Sequence, residues 1–211
     1  ASRIDGDGRQ LALYAGTQLG HLTLRGGVAR TDYDLDLERR VGIGTLDQRL
    51  EARHEATDTT WFAEAALDWN ESTLPRPWLA LAHTRLSSDA AAETGGSAAL
   101  DVARGRHEVG TATLGLRGAW DVSGGRSVAT LQADRGWRHA WGDLTPAAAA
   151  TFADGYSFTV HAPAMSRNAA VYRLGLGLAP TPRSRVAIGL QGQAGDRVRT
   201  FGGHLQWQVS F

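Results

Sequence analysis

The sequence predicts an all-β protein, an antiparallel transmembrane β-barrel, on three observations. First, residues 201–211 alternate: Phe201, Leu205, Trp207, Val209 and Phe211 are apolar, and Gly202, His204, Gln206, Gln208 and Ser210 lie between them. Period-two alternation makes a strand with one apolar and one polar face, and rings near the end of such a strand suit a barrel in lipid. Second, the same alternation recurs along the chain in segments of at least ~9–11 residues, long enough to cross the hydrocarbon at the usual tilt. Third, the mean hydropathy is −0.28 and no apolar run reaches the roughly 18 residues of a membrane helix, which leaves strands as the crossing elements. A soluble sandwich ending on an edge strand would share the first observation, although chain ends usually fray.

Composition narrows the classes. The 211 residues suffice for one barrel or one large domain. Formal net charge is zero, which argues against nucleic acid as a partner. Every one of the 22 basic residues is arginine. Cysteine is absent, so there is neither a disulfide framework nor a thiolate metal site. Ala1-Ser2-Arg3-Ile4-Asp5-Gly6 has no apolar signal core, so an envelope protein opening this way is expected to be a mature product or a fragment of something longer.

Nine strands are expected. The first, about 8–19, places Leu11, Leu13, Ala15 and Leu19 opposite Tyr14, Gly16 and Gln18. The second, 21–32, places Leu22, Leu24 and Val28 opposite Thr23, Arg25 and Thr31. In the third, 57–69, Trp61, Ala63, Ala65, Leu67 and Trp69 oppose Phe62, Glu64 and Asp68. A fourth covers 77–87, and a fifth, 108–121, turns Leu114, Leu116 and Trp120 outward. The sixth, 126–141, mixes Ala129, Leu131 and Trp137 with Arg135 on one face, which predicts a bulge or a tip beyond the membrane. The last three cover 168–178, 185–195 and 199–211.

Trp61 and Trp69 are separated along one strand by about 26 Å, or roughly 20 Å of height at a tilt near 40°. That spacing suits two aromatic girdles, to which Trp120, Trp137, Trp207 and Phe211 are also assigned. Tight connections at Gly20, 70–76, 122–125 and 179–184 alternate with long ones at 32–56, 88–107 and 142–167. Short turns on the periplasmic side and long loops outside would orient the barrel; the short connection near 196–198 departs from that rule. Single-chain bacterial barrels have even strand numbers, so an odd count predicts at least one strand upstream.

The segment Gly136-Trp137-Arg138-His139-Ala140-Trp141-Gly142-Asp143-Leu144-Thr145-Pro146 is followed by Tyr156-Ser157-Phe158-Thr159-Val160-His161-Ala162-Pro163 and then Arg167-Asn168-Ala169-Ala170. With the ending, these segments resemble the C-terminal β-barrel translocator domain of type V bacterial autotransporters. That family shows a Gly-Trp-x-His-x-x-Gly-Asp segment, a Phe-x-Val-x-Gly-Ala-Pro-like segment and Arg-Asp/Asn-Ala; here His161 stands where the family has Gly. The resemblance implies a Gram-negative outer-membrane, cell-surface location and a twelve-stranded barrel threaded by an α-helix. By pattern this chain resembles strands four to twelve, as a single domain over residues 1–211. The implied work is protein secretion, carrying or anchoring an N-terminal passenger. The implied partners are outer-membrane lipid, the passenger itself and the barrel-assembly machinery, which would read Leu205, Trp207, Val209 and Phe211 of a monomeric barrel.

Inward positions then include Arg25, Glu64, Asp68, Arg117, Asp134, Arg173, Gln191, Gln193, Gln206 and Gln208, a wet lumen with both signs of charge. No nucleophile elbow, His-Glu-x-x-His or phosphate loop occurs, so no catalytic, cofactor or metal residues are assigned and the chain reads as a non-enzyme. His139, Asp143 and Ser157 can be drawn as a triad, though packing around a loop explains them as well. Asp5-Gly6-Asp7-Gly8 and the series Asp32, Asp34, Asp36, Glu38 resemble calcium ligands without the spacing of a calcium loop. Two competing readings stay open: a standalone outer-membrane barrel, either a porin or a lipid-modifying enzyme, and a soluble β-barrel or sandwich with its Leu and Trp faces turned inward.

Overall fold

The computed structural model describes residues 2–44, 46–69, 74–122, 128–181 and 183–209. Period-two alternation is realised as one nine-stranded antiparallel sheet, curled into a half-barrel. Its strands, in both chain and spatial order, are β1 (Arg3–Leu19), β2 (Leu22–Ile43), β3 (Leu46–Leu67), β4 (Arg76–Ser88), β7 (Gly105–Asp121), β8 (Val128–Gly142), β11 (Asn168–Thr181), β12 (Ser184–Gly195) and β13 (Arg199–Val209). These are the nine expected strands, and each pairs with its chain neighbour in the sheet, the arrangement that keeps closure cost lowest. Phe211 lies outside the described residues.

Cross-strand partners share a face, so the register sorts the side chains. The row Leu19–Leu22–Leu67 and the row Ala65–Leu79–Leu114–Trp137 lie on one face. Leu131–Leu176–Ile188–Leu205 continues that face across the last strands. Its members stay exposed: Leu114 at 60 %, Trp137 at 54 %, Leu205 at 72 %. A soluble protein does not present so broad an apolar surface to water; in lipid the same surface is favourable.

Beyond the expected strand ends the structure departs from the sequence reading. Residues 32–56, expected as a loop, continue β2 and β3 as one long hairpin that turns at Gly44, whose φ is 62°. Alternation continues through it, with Tyr33, Leu35 and Leu37 against Asp34, Asp36 and Glu38, but out of phase with Leu22, Leu24 and Val28, so its apolar residues share a face with Arg25. The acidic series lies along the strand against arginines, with Arg30–Asp32 at 3.0 Å, Arg49–Glu38 at 3.0 Å and Arg53–Asp36 at 3.5 Å. Asp5-Gly6-Asp7-Gly8 is likewise extended, within β1.

The other two long connections build a second sheet of β5 (Ala91–Ala92), β6 (Leu100–Val102), β9 (Ala147–Phe152) and β10 (Ser157–His161), in the order β10-β9-β6-β5. This sheet is fastened to the hairpin. Glu51 and Thr94 exchange backbone hydrogen bonds, Arg39 pairs with Glu93 at 2.5 Å, and Leu50 is wholly buried at the junction. Near Arg135 the pairing of β7 with β8 is unbroken, and Arg135 sits mid-strand opposite Leu116 and Tyr172 on the apolar face. The expected bulge is absent; a long arginine can lay its stem along apolar neighbours and carry its head to a polar layer. Trp69 lies past the end of β3, where its indole donates to the Pro75 carbonyl at 3.0 Å.

Gly115 faces Trp78 across the β4–β7 pair, and a Cβ there would fall 2.5 Å from the indole. The ring lies flat because glycine leaves the space. Gly115→Val should therefore cost about 1–3 kcal/mol through overpacking, read as a lower urea midpoint of the detergent-folded protein together with a shifted tryptophan emission.

Candidate functional site

The second face of the sheet carries the chemistry. Strict alternation brings Arg25 of β2 opposite Glu64 of β3, and Arg117 of β7 opposite Asp134 of β8. Small residues on β4, Ala80 foremost, let side chains two strands apart meet over it. Arg117 donates Nη1 and Nη2 to the two Glu64 oxygens at 3.1 and 3.3 Å, and Nε to Asp134 Oδ2 at 3.0 Å. Trp78 Nε1 donates to the other Asp134 oxygen at 3.0 Å, and the Arg117 guanidinium lies 5.1 Å from the Trp78 ring centroid. Arg25 approaches Glu64 at 3.5 Å from the far side. One planar cation thus satisfies two carboxylates, and a ring covers it.

A second cluster sits at the turn end. Asp68 accepts from Thr23 Oγ1 at 2.5 Å and pairs with Arg76 at 2.7 Å. Between the clusters lies a cavity of about 270 Å³ lined by Arg25, Asp68, Arg76, Trp78 and Arg117. A larger one, about 430 Å³, opens beside Trp78 and Asp134 along Arg173, Gln191, Gln193 and Thr200. The whole face is polar and groove-like. The three residues drawn as a triad are held elsewhere: His139 Nδ1 meets Asn168 Oδ1 at 2.9 Å, Asp143 accepts the Glu108 amide at 2.9 Å, and Ser157 bonds Thr151 at 2.9 Å. The drawn triad therefore disperses to three separate partners. Among the described residues no group of His, Asp and Glu is arranged to hold a metal ion.

The structure brings Arg25, Glu64 and Arg117 into one network and places Asp68 beside it. Arg173 and Gln206 share that face by register but stand apart from the network. Trp61, Trp120, Trp137, Leu205 and Trp207 lie on the opposite face by register. Trp61 is stacked with His83 at 5.8 Å, and Trp207 donates to Ser184 Oγ at 3.0 Å. Val209 ends β13 opposite Ser184. Sequence reasoning missed Trp78 and Arg76, the ring and the cation that complete the two clusters. A signal existed: Trp78 alternates out of step with Leu79 and Leu81, which assigns it to the polar face.

The family model for the autotransporter β-domain matches residues 1–191. The chain belongs to that family. Membership makes it an outer-membrane β-domain of a protein that carries an N-terminal passenger to the cell surface. Two curated relatives, each an extracellular serine protease of Serratia marcescens, are 28 % identical over 189 residues and 27 % identical over 194. These alignments cover 89 % and 91 % of this chain but only 18 % and 19 % of the relatives. What matches is the translocator region, not the protease part that gives those proteins their name. The family match ends within β12, so β13 and its aromatic ending lie beyond it.

The Arg117 network is half-buried, whereas the Arg49–Glu38 pair on the hairpin is exposed. Double-mutant cycles should give a coupling of about 1–2 kcal/mol for Arg117 with Glu64 and under about 1 kcal/mol for Arg49 with Glu38. Urea titration of the folded protein measures both.

Proposed function

We propose that residues 1–211 work as one β-domain, without catalytic activity of their own, whose polar face lines a hydrated corridor for the passenger polypeptide while its apolar face meets outer-membrane lipid. The observation that carries this reading is the separation of faces: the ion-paired network and open cavities on one, exposed leucines and tryptophans on the other. Because the cations and carboxylates of the network hold one another, the wall stays charged and wet yet offers few strong traps to a passing chain. Trp61, Trp137 and Trp207 act as girdle rings, and the β13 pattern Leu205, Trp207, Val209 is the surface read by the barrel-assembly machinery.

The edges support a larger assembly. β1 and β13 bound the open sheet, and as first and ninth of alternating strands they run parallel to each other. Direct closure would need a parallel seam, foreign to even-numbered bacterial barrels. Hydrocarbon tolerates no open edge. Further strands therefore pair with these edges in the membrane.

An epitope placed upstream of Ala1 in the full-length gene product tests the reading. Labelling of intact cells by antibody, and its loss to external protease, is the expected result; an epitope confined to the periplasm sinks it. In vesicles of brominated lipid, Trp137 and Trp207 emission should be quenched strongly and Trp78 emission weakly, since only the first two rings meet lipid.

A further inference from the structure

The charges of the polar face are not evenly matched. Every carboxylate in the two clusters already has its arginine, as described above. Across β8 and β11 the position differs. Arg138 faces the same side as Asp134, next to Thr113 and Ala169 in register, and its Nε and Nη2 are buried without any hydrogen-bond partner. Arg173, opposite Asp134, makes no hydrogen bond or ion pair among the described residues, because Asp134 is taken by Arg117 and Trp78. The polar-face positions of β11, β12 and β13 offer glutamines, a histidine and arginines but neither aspartate nor glutamate.

A buried guanidinium edge without an acceptor is costly, and a wall that leaves cations unmatched is complementary to a ligand that brings acceptors. We infer that Arg138 and Arg173 are the anchor points of a docking track for a carboxylate-bearing segment of the polypeptide carried through the corridor. The inference rests on the translocator reading above and adds the chemistry of what is held and where. Arg138 and Arg173 lie four register positions apart, about 13 Å along the wall, and the 430 Å³ cavity opens at Arg173. An extended segment with acidic residues about four apart reaches both. Among the described residues the paired wall formed by β2, β3, β4 and β7 has no spare donor of this kind, so the segment lies to one side of the corridor rather than along its axis.

The test uses the full-length protein in cells. A photo-crosslinking residue replaces Val171, which lies on the polar face between the two arginines. In parallel, R138E and R173E are scored for surface display and for barrel folding by heat-modifiable migration, with R138K as the conservative control. Crosslinks to an acidic segment upstream of Ala1, display reduced at least tenfold in the charge reversals with folding intact, and recovery in R138K are the expected results. Crosslinks solely to barrel strands or surface loops would overturn the proposal, since the donors would then serve barrel closure. So would normal display in both reversals. If a charge reversal fails to fold, R138Q and R173Q give the same comparison, and normal display in both is again fatal. Wild-type protein that displays no passenger would overturn the translocator reading itself, a result separable from the behaviour of the variants.

Discussion

Inside hydrocarbon no water is available for amide and carbonyl groups, so each strand must find its hydrogen bonds in its neighbours. The nine-stranded sheet follows from that constraint. Each strand pairs with the next in sequence through tight turns at one end, as at Gly20, whose φ of 60° makes it the first residue of a two-residue hairpin. Once the backbone is satisfied in this way, side chains are free to divide by solvent. One face then carries leucine and tryptophan for lipid, the other arginine, carboxylate and glutamine for water.

The division explains why the polar clusters look as they do. A lumen is neither bulk water nor a dry core, and Arg117 illustrates the compromise. It is half-buried, it satisfies two carboxylates at once, and Trp78 covers its face. Surface pairs on the hairpin, such as Arg53 with Asp36, have solvent on all sides and add little. The same charge types therefore brace the wall in one place and merely solvate a strand in another.

Above the wall, the loops are more ordered than loops of a membrane barrel need be. The four short strands fasten connections from different parts of the chain into one platform, with Leu50 sealed beneath it and Ser166, nearly wholly buried, accepting the Arg197 and Val198 amides through its hydroxyl. The platform is fastened to the long hairpin through the Glu51–Thr94 bridge and the Arg39–Glu93 pair. Fixed geometry at that end suits a domain whose partner is a polypeptide emerging at the cell surface.

Alternation alone determined the number of main strands, their order and the face of almost every residue in them, because a period of two is imposed by the pleat and is visible wherever one side meets lipid. It also determined that Arg25, Glu64, Arg117 and Arg173 share a face. It could not show the hairpin beyond residue 32, where the apolar residues change to the other face, nor the platform, whose strands are two to six residues long and pair across long stretches of chain. Nor could it say that Arg117 reaches Glu64 over β4 while Arg173 and Arg138 are left without acceptors. Face is a local property of the strand; reach depends on register, curvature and the small residues between, and these the tertiary structure alone decided.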